Sequence, residues 1–177
     1  MGVIRQQRVQ EFFLRGFSSE TTTDQGRALE DLVSYLFEAV PGIAVTERNV
    51  VNAFHTEEVD VAFWNDQHRR GLWFLPTTLL IECKNWSRPV GGGEVAYLVR
   101  RLQNRGLDLG FLVATGGVTG SPIDLTDAHF KIATALKDGI RVVVIDRAEI
   151  EQLAHSDDLV RLVKRKLCML AARGTCF

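Results

Sequence analysis

An α/β fold with a mixed central sheet of about five strands, flanked by helices, is predicted by three features of this 177-residue sequence. A helical apolar stripe comes first. Three strand-like segments follow with a polar turn or loop between the last two, and two helix–strand pairs come after those. A hairpin-like start followed by βαβ crossovers gives a sheet with antiparallel and parallel parts and helices on its faces. With 46% hydrophobic and 24% charged residues, the chain suits one globular domain over 1–177, its core at about 22–146 and a helical segment at 147–172.

The first helix is expected over Thr22 to Val40. Thr22 and Gln25 have capping-box spacing, and Leu29, Leu32, Val33, Leu36 and Val40 recur at helical intervals before Pro41-Gly42. Two strands are expected next, Val-rich Ile43 to Phe54 and Glu58 to Trp64, where Val59, Val61 and Phe63 alternate with Glu58, Asp60 and Ala62. Asn65 to Gly71 is a polar turn. Thr77 to Lys84 is the third strand, with Leu79, Ile81 and Cys83 on one face and Leu80, Glu82 and Lys84 on the other. Pro89 and Gly91-Gly92-Gly93 break the chain before a helix from Glu94 to about Arg105. The apolar run Gly110 to Ala114 is a short strand leading into the loop Thr115 to Ser121. Pro122 to Lys137 reads as helix, Gly139 stops it, Ile140 to Asp146 is a buried strand, and Arg147 to Ala172 is one broken helix or two short ones.

Composition excludes several classes. Cys83, Cys168 and Cys176 are odd in number and form no C-x-x-C pair, which argues against a disulfide scaffold or zinc knuckle and for a reducing, cytoplasmic setting. Met1 to Phe17 carries Arg5, Arg8 and Arg15 and lacks the apolar run of a signal peptide. No uncharged stretch approaches the ~18 residues of a membrane span, so no membrane partner is expected. The net charge of −1 hides an uneven distribution: residues 1–60 carry 5 basic and 10 acidic side chains, residues 61–105 carry 7 and 3, and Arg161 to Arg173 holds five bases and no acid. An anionic polymer would meet the middle block and the C-terminal end. A solvated helix face explains the C-terminal cluster equally well.

The informative stretch for chemistry is Leu79-Leu80-Ile81-Glu82-Cys83-Lys84. An inner strand has no use for two charges unless they work or sit at its end. Period-2 geometry puts Glu82 and Lys84 on one face, roughly 7 Å apart along the strand. If the preceding strand pairs antiparallel, Asp60 lies beside Glu82. Two carboxylates can hold Mg²⁺ with several waters retained, and an amine beside them can orient an attacking water or help to deprotonate it. The bland reading of an isolated E-x-K is an exposed strand end with a surface ion pair. Glu30 lies on the first helix at the border of its apolar stripe, near Val33 and Phe37, and not on the solvated face with Asp31 and Glu38.

A helical acid, an Asp on one strand, E-x-K on the next and a helix directly after it form an ordered set. This set resembles the PD-(D/E)xK nuclease superfamily. Ile81 to Trp86, the Pro89-Val90-Gly91 turn, Glu94, and Phe111 to Gly117 are most similar to its Mrr-type restriction-endonuclease branch. The resemblance implies a restriction-endonuclease-like three-layer fold and hydrolysis of DNA phosphodiester bonds with Mg²⁺ or Mn²⁺, leaving 5′-phosphate and 3′-hydroxyl ends. It makes Asp60 the central metal ligand, Glu82 the second, Lys84 the catalytic lysine and Glu30 an outer or second-metal acid. Glu94 falls where such proteins place a Gln or acid facing the site. No Pro precedes Asp60, so Glu58 would take its place if the register were off by two.

DNA-facing residues are expected at Glu94, Arg101 and Arg105, which share a helix face, and at Lys164, Arg165 and Lys166. A surface salt-bridge stripe is the alternative for that face. Leu159, Leu162, Val163, Lys166-Leu167 and Leu170 form a stripe that either caps the chain's own sheet or makes a homodimer, which would suit double-strand cleavage. A partner protein or ligand that triggers activity is also compatible with so small a domain. The implied setting is bacterial restriction, anti-phage defence or DNA processing.

Other readings are weaker. A catalytically idle nucleic-acid-binding or interaction module of the same fold would not need Glu30, Asp60, Glu82 and Lys84 together. The loop Thr115-Gly116-Gly117-Val118-Thr119-Gly120 has the strand–loop–helix outline of a nucleotide site, but its spacing is not G-x-G-x-x-G and no Walker lysine is present. There is no G-x-S-x-G elbow, and His55-Thr56-Glu57 lacks the P-C-x-x-C of a zinc deaminase. Cys83 is expected to pack, and Trp64, Trp73 and Trp86 to be core or rim, with base stacking as the sharper alternative.

Overall fold

The computed structural model describes residues 2–52 and 57–177. Five strands form one sheet in the order β1-β2-β3-β4-β5: β1 Ile43–Val51, β2 Glu58–Asn65, β3 Thr78–Lys84, β4 Leu109–Ala114 and β5 Arg141–Asp146. β1, β2 and β3 pair antiparallel, and β3, β4 and β5 pair parallel. The mixed sheet expected from the pattern is present. The expected end of the first strand at Phe54, and His55 and Thr56 of the deaminase-like triplet, lie outside the described residues.

Helices cover both faces. α2 (Thr22–Glu38) lies on the face of the odd-numbered strand residues, where Phe37 stacks on Phe63 and meets Phe111 edge-on. Its N-cap is Thr21, one residue before the expected position, with the hydroxyl accepting from the Asp24 N–H. α3 (Gly92–Asn104) and α4 (Asp127–Lys137) are the crossovers of the parallel half; α3 covers the even face, bringing Arg101 onto Glu82. α4 starts five residues later than expected, because Ser121 to Thr126 closes on itself through backbone and hydroxyl hydrogen bonds. The tail divides into α5 (Arg147–Glu151) and α6 (Ser156–Arg173).

One element was not anticipated, α1 over Gln6–Ser18. Its buried residues Val9, Phe13 and Gly16 recur at helical spacing, but two arginines and three glutamines dilute the apolar signal. α1 packs on α2, and Gly16 approaches the turn after β3 so closely that a Cβ there would stand 2.5 Å from Asn85 Nδ2. Asn85 in turn donates to the Gln25 carbonyl at 2.8 Å, so α1, α2 and the end of β3 brace one another.

The C-terminal helix corrects one expectation. Lys166 is not a surface residue: it is 1% exposed, ion-paired with Glu149 at 2.8 Å, and donates to the Cys176 carbonyl at 3.2 Å. Leu159, Leu162, Val163 and Leu170 are buried within the chain, so most of the stripe packs against its own fold. Lys166→Gln is expected to lower unfolding free energy by roughly 2–4 kcal/mol in urea titrations, since it leaves Glu149 without its closest cation, and to leave DNA affinity unchanged. A salt-dependent loss of DNA binding without a loss of stability would contradict that placement.

Candidate functional site

The candidate site is a cleft of about 350 Å³ at the C-terminal end of β3, where α2, β1 and β2 also converge. Glu30 from α2, Asn49 from β1, Glu58 and Asp60 from β2, and Cys83 and Lys84 from β3 line it. The antiparallel register Val61↔Ile81 sets Asp60 alongside the Glu82 region, and the Asp60 carboxylate accepts the Cys83 N–H at 2.7 Å. Asp60, not Glu58, therefore reaches the β3 backbone; Glu58 lies at the cleft with its side chain exposed.

Asp60 is held in an uncomfortable place for an anion. Burial and the neighbouring Glu82 carboxylate, with Glu30 further off, push its pKa up to about 7 against the opposing pull of the Cys83 N–H and Lys84. Glu30 is buried and more fully satisfied, accepting from Asn49 Nδ2 at 2.8 Å and Arg48 Nη2 at 3.3 Å. Asn49 makes that contact from a left-handed backbone conformation (φ 52°) inside β1, a strained position that Asn tolerates better than most residues.

Glu82 is buried and engaged by two cations. Lys84 Nζ is 2.8 Å from one of its oxygens, and Arg101 Nη1 bonds the other. Burial works against the Lys84 ammonium, but Glu82, with Asp60 and Glu94 behind it, more than offsets this, and its pKa is raised. Lys84 is thus a cation in this arrangement and a hydrogen-bond donor, not a ready base. Cys83 is buried, and burial pushes its thiol well above the ordinary range, so it is no thiolate nucleophile.

Several expected roles are altered by these contacts. Among the described residues no three of His, Cys, Asp and Glu converge as a metal-ligand group, so the set Asp60, Glu82 and Glu30 does not meet at one point. Arg101 and Lys84 draw Glu82 toward the α3 side instead. Arg101 is buried on Glu82 and does not face solvent. Arg105 is ion-paired with Glu57, which Asn104 also holds at 2.8 Å and whose carboxyl is kept below the usual range by that guanidinium. Glu94 stands 3.7 Å from Lys84 Nζ, so this acid faces the site and offers nothing to a phosphate. Of the six residues expected to face DNA, Lys164 and Arg165 remain exposed.

Arg27, not singled out from the sequence, and Trp86, expected in the core or at the rim, complete the lining. Arg27 lines the cleft one helical turn before Glu30, a spacing visible in the sequence once Glu30 is chosen. Trp86 lines it as well, half-buried, with Lys84 and exposed Arg88 against its ring at 5.5 and 4.7 Å. Trp64 and Trp73 are exposed at 48% and 54% and lie outside the cleft. The Gly116 loop has a structural explanation: a Cβ at Gly116 would stand 2.4 Å from the Arg88 carbonyl oxygen, and Val90 N–H and Thr119 N–H bridge the two segments. That close approach supports the turn carrying Trp86 and Arg88.

No curated protein is matched by the chain. The restriction endonuclease family model of the Mrr catalytic domain matches residues 23–154, about three quarters of the chain, and its span includes Glu30, Asp60, Glu82, Lys84 and the whole sheet. A match over that much of the chain, on a mixed five-stranded sheet, shows that the chain belongs to the Mrr-type restriction endonuclease family.

Proposed function

We propose that the chain is a divalent-metal-dependent endonuclease that hydrolyses phosphodiester bonds of DNA at the cleft beside Lys84. The observation that carries this reading is the gathering of Glu30, Asp60 and Lys84 on one open cleft, with Glu82 bound to Lys84, in a chain of a restriction endonuclease family. The donor set suits Mg²⁺ or Mn²⁺. Its acids are hard oxygen ligands, and Asp60 is a half-buried carboxylate that accepts from a backbone N–H, an anion that a divalent cation would relieve. Asp60 and Glu82 would hold the ion with waters filling the remaining positions, and Glu30 would act from behind through its charge. Bound there, the ion supplies Lewis-acid polarisation of the scissile phosphate.

The protein's own groups do the rest. Lys84, kept cationic, donates to a phosphate oxygen or the attacking water and offsets the negative charge that grows in the transition state. Arg27 and Arg88 at the rim meet backbone phosphates, and the Trp86 ring beside Arg88 offers a flat apolar surface next to them. Lys84 is withdrawn from phosphate until Glu82 or Glu94 releases it.

Incubation with supercoiled plasmid, linear duplex, single-stranded DNA and RNA, each with Mg²⁺, Mn²⁺ or EDTA, tests the reading. DNA cleavage with either ion and none in EDTA is the expected result. Intact DNA under every condition, with DNA binding retained, would favour the idle module. The biological role proposed is restriction, anti-phage defence or DNA processing.

A further inference from the structure

Arg101 is the least expected residue beside the site. A helix as amphipathic as α3 normally sends arginines to solvent, yet Arg101 is 8% exposed. One Nη bonds a Glu82 oxygen, and the Tyr97 ring lies 4.3 Å from the guanidinium carbon. Its Nε is buried without a hydrogen-bond partner among the described residues. A buried unsatisfied donor is costly, so this guanidinium is held in place by Glu82 and the α3 packing and not by complete satisfaction of its own donors.

Charge balance gives the placement a consequence. Glu82 already carries Lys84 on one oxygen and Arg101 on the other. A divalent ion that takes an oxygen of Glu82 must share it with one of these two cations or displace it, and on the Arg101 side that cation is the guanidinium. We propose that Arg101 is a cationic placeholder on Glu82: it neutralises the glutamate when the site holds no divalent ion, opposes the ion's entry, and so sets the concentration at which the site fills. This rests on the metal-dependent reading given above. Arg101 is a positioning residue in this role, since it acts on the site through Glu82.

Three consequences are specific to a placeholder. Removing the guanidinium should tighten divalent-ion binding, where loss of a merely structural residue would weaken it. The effect should exceed that of removing Arg105, which sits four residues on, at the C-cap of α3, paired with Glu57. A shorter cation at position 101 should give a smaller gain.

Calorimetric titration of the full chain with Mn²⁺ and with Mg²⁺ at pH 8, without DNA, reads these directly. Arg101→Gln is expected to lower Kd at least about tenfold, the modest end of what loss of a nearby like charge does at an effective dielectric of about 20. Arg105→Gln should change Kd less than about threefold, and Arg101→Lys should fall between wild type and Arg101→Gln. Unchanged or weaker binding in Arg101→Gln, or an equal gain in Arg105→Gln, overturns the placeholder. If Arg101→Gln does not fold, Arg101→Lys decides alone, and binding no tighter than wild type overturns it. Wild-type chain that binds neither ion would remove the metal site itself, and the placeholder with it; wild type that binds while Arg101→Gln gains nothing removes only the placeholder.

Discussion

Lys84→Ala is expected to reduce DNA cleavage by about 10²–10⁴-fold while DNA affinity changes by less than about threefold. The asymmetry comes from the position of the amine. Lys84 Nζ sits on Glu82 in the cleft, with 20% of its side chain exposed, so in the proposed reaction it would add one charge to the transition state but little to a DNA-binding surface. The fold should tolerate the loss, because Arg101 stays on Glu82 and the buried carboxylate keeps a cation. Single-turnover cleavage rates and DNA-binding isotherms for both proteins, at matched salt, separate the two quantities. A variant that cleaves at the wild-type rate with metal present would end the assignment of Lys84 to the chemistry.

Asp60→Asn is expected to abolish divalent-ion binding and, in EDTA, to make the folded chain more stable than wild type at pH 8. The sign follows from linkage. The Asp60 pKa is raised from its ordinary value of 3.8 to about 7 in the folded state, so between those values the native state holds a proton that the unfolded chain has lost. The stability this represents is fully present below about pH 4 and is lost as pH rises through 7. The deficit above pH 7 is of order 2–4 kcal/mol, and the asparagine variant escapes it. Denaturation midpoints from pH 4 to 8 should therefore converge at low pH and separate at high pH, with Asp60→Asn on top. Parallel curves would mean that Asp60 is an ordinary surface carboxylate. Mg²⁺ should raise the wild-type midpoint at pH 8, where Asp60 is ionised, and leave the variant unmoved.

The amino-acid sequence by itself determined the fold class, and it singled out Glu30, Asp60 and Lys84, which line the cleft, and Glu82 beside them. Those features are written in local periodicity. Alternation in Glu58 to Trp64 and Thr78 to Lys84 sets which side chains share a face, and apolar spacing along α2 sets Glu30 on its buried border. α1 escaped because its arginines and glutamines weaken the stripe to Val9, Phe13 and Gly16. Which cations stand beside which acids was decided only by the tertiary structure. Arg101 and Arg105 have the same spacing whether they face DNA or the protein, and the difference arises when α3 is laid over the sheet and finds Glu82 and Glu57 beneath it. Lys166 likewise reads as one of a basic cluster until the fold brings Glu149 and the Cys176 carbonyl to its ammonium. Ion pairs between elements depend on distances in three dimensions, and periodicity along one element carries no information about them.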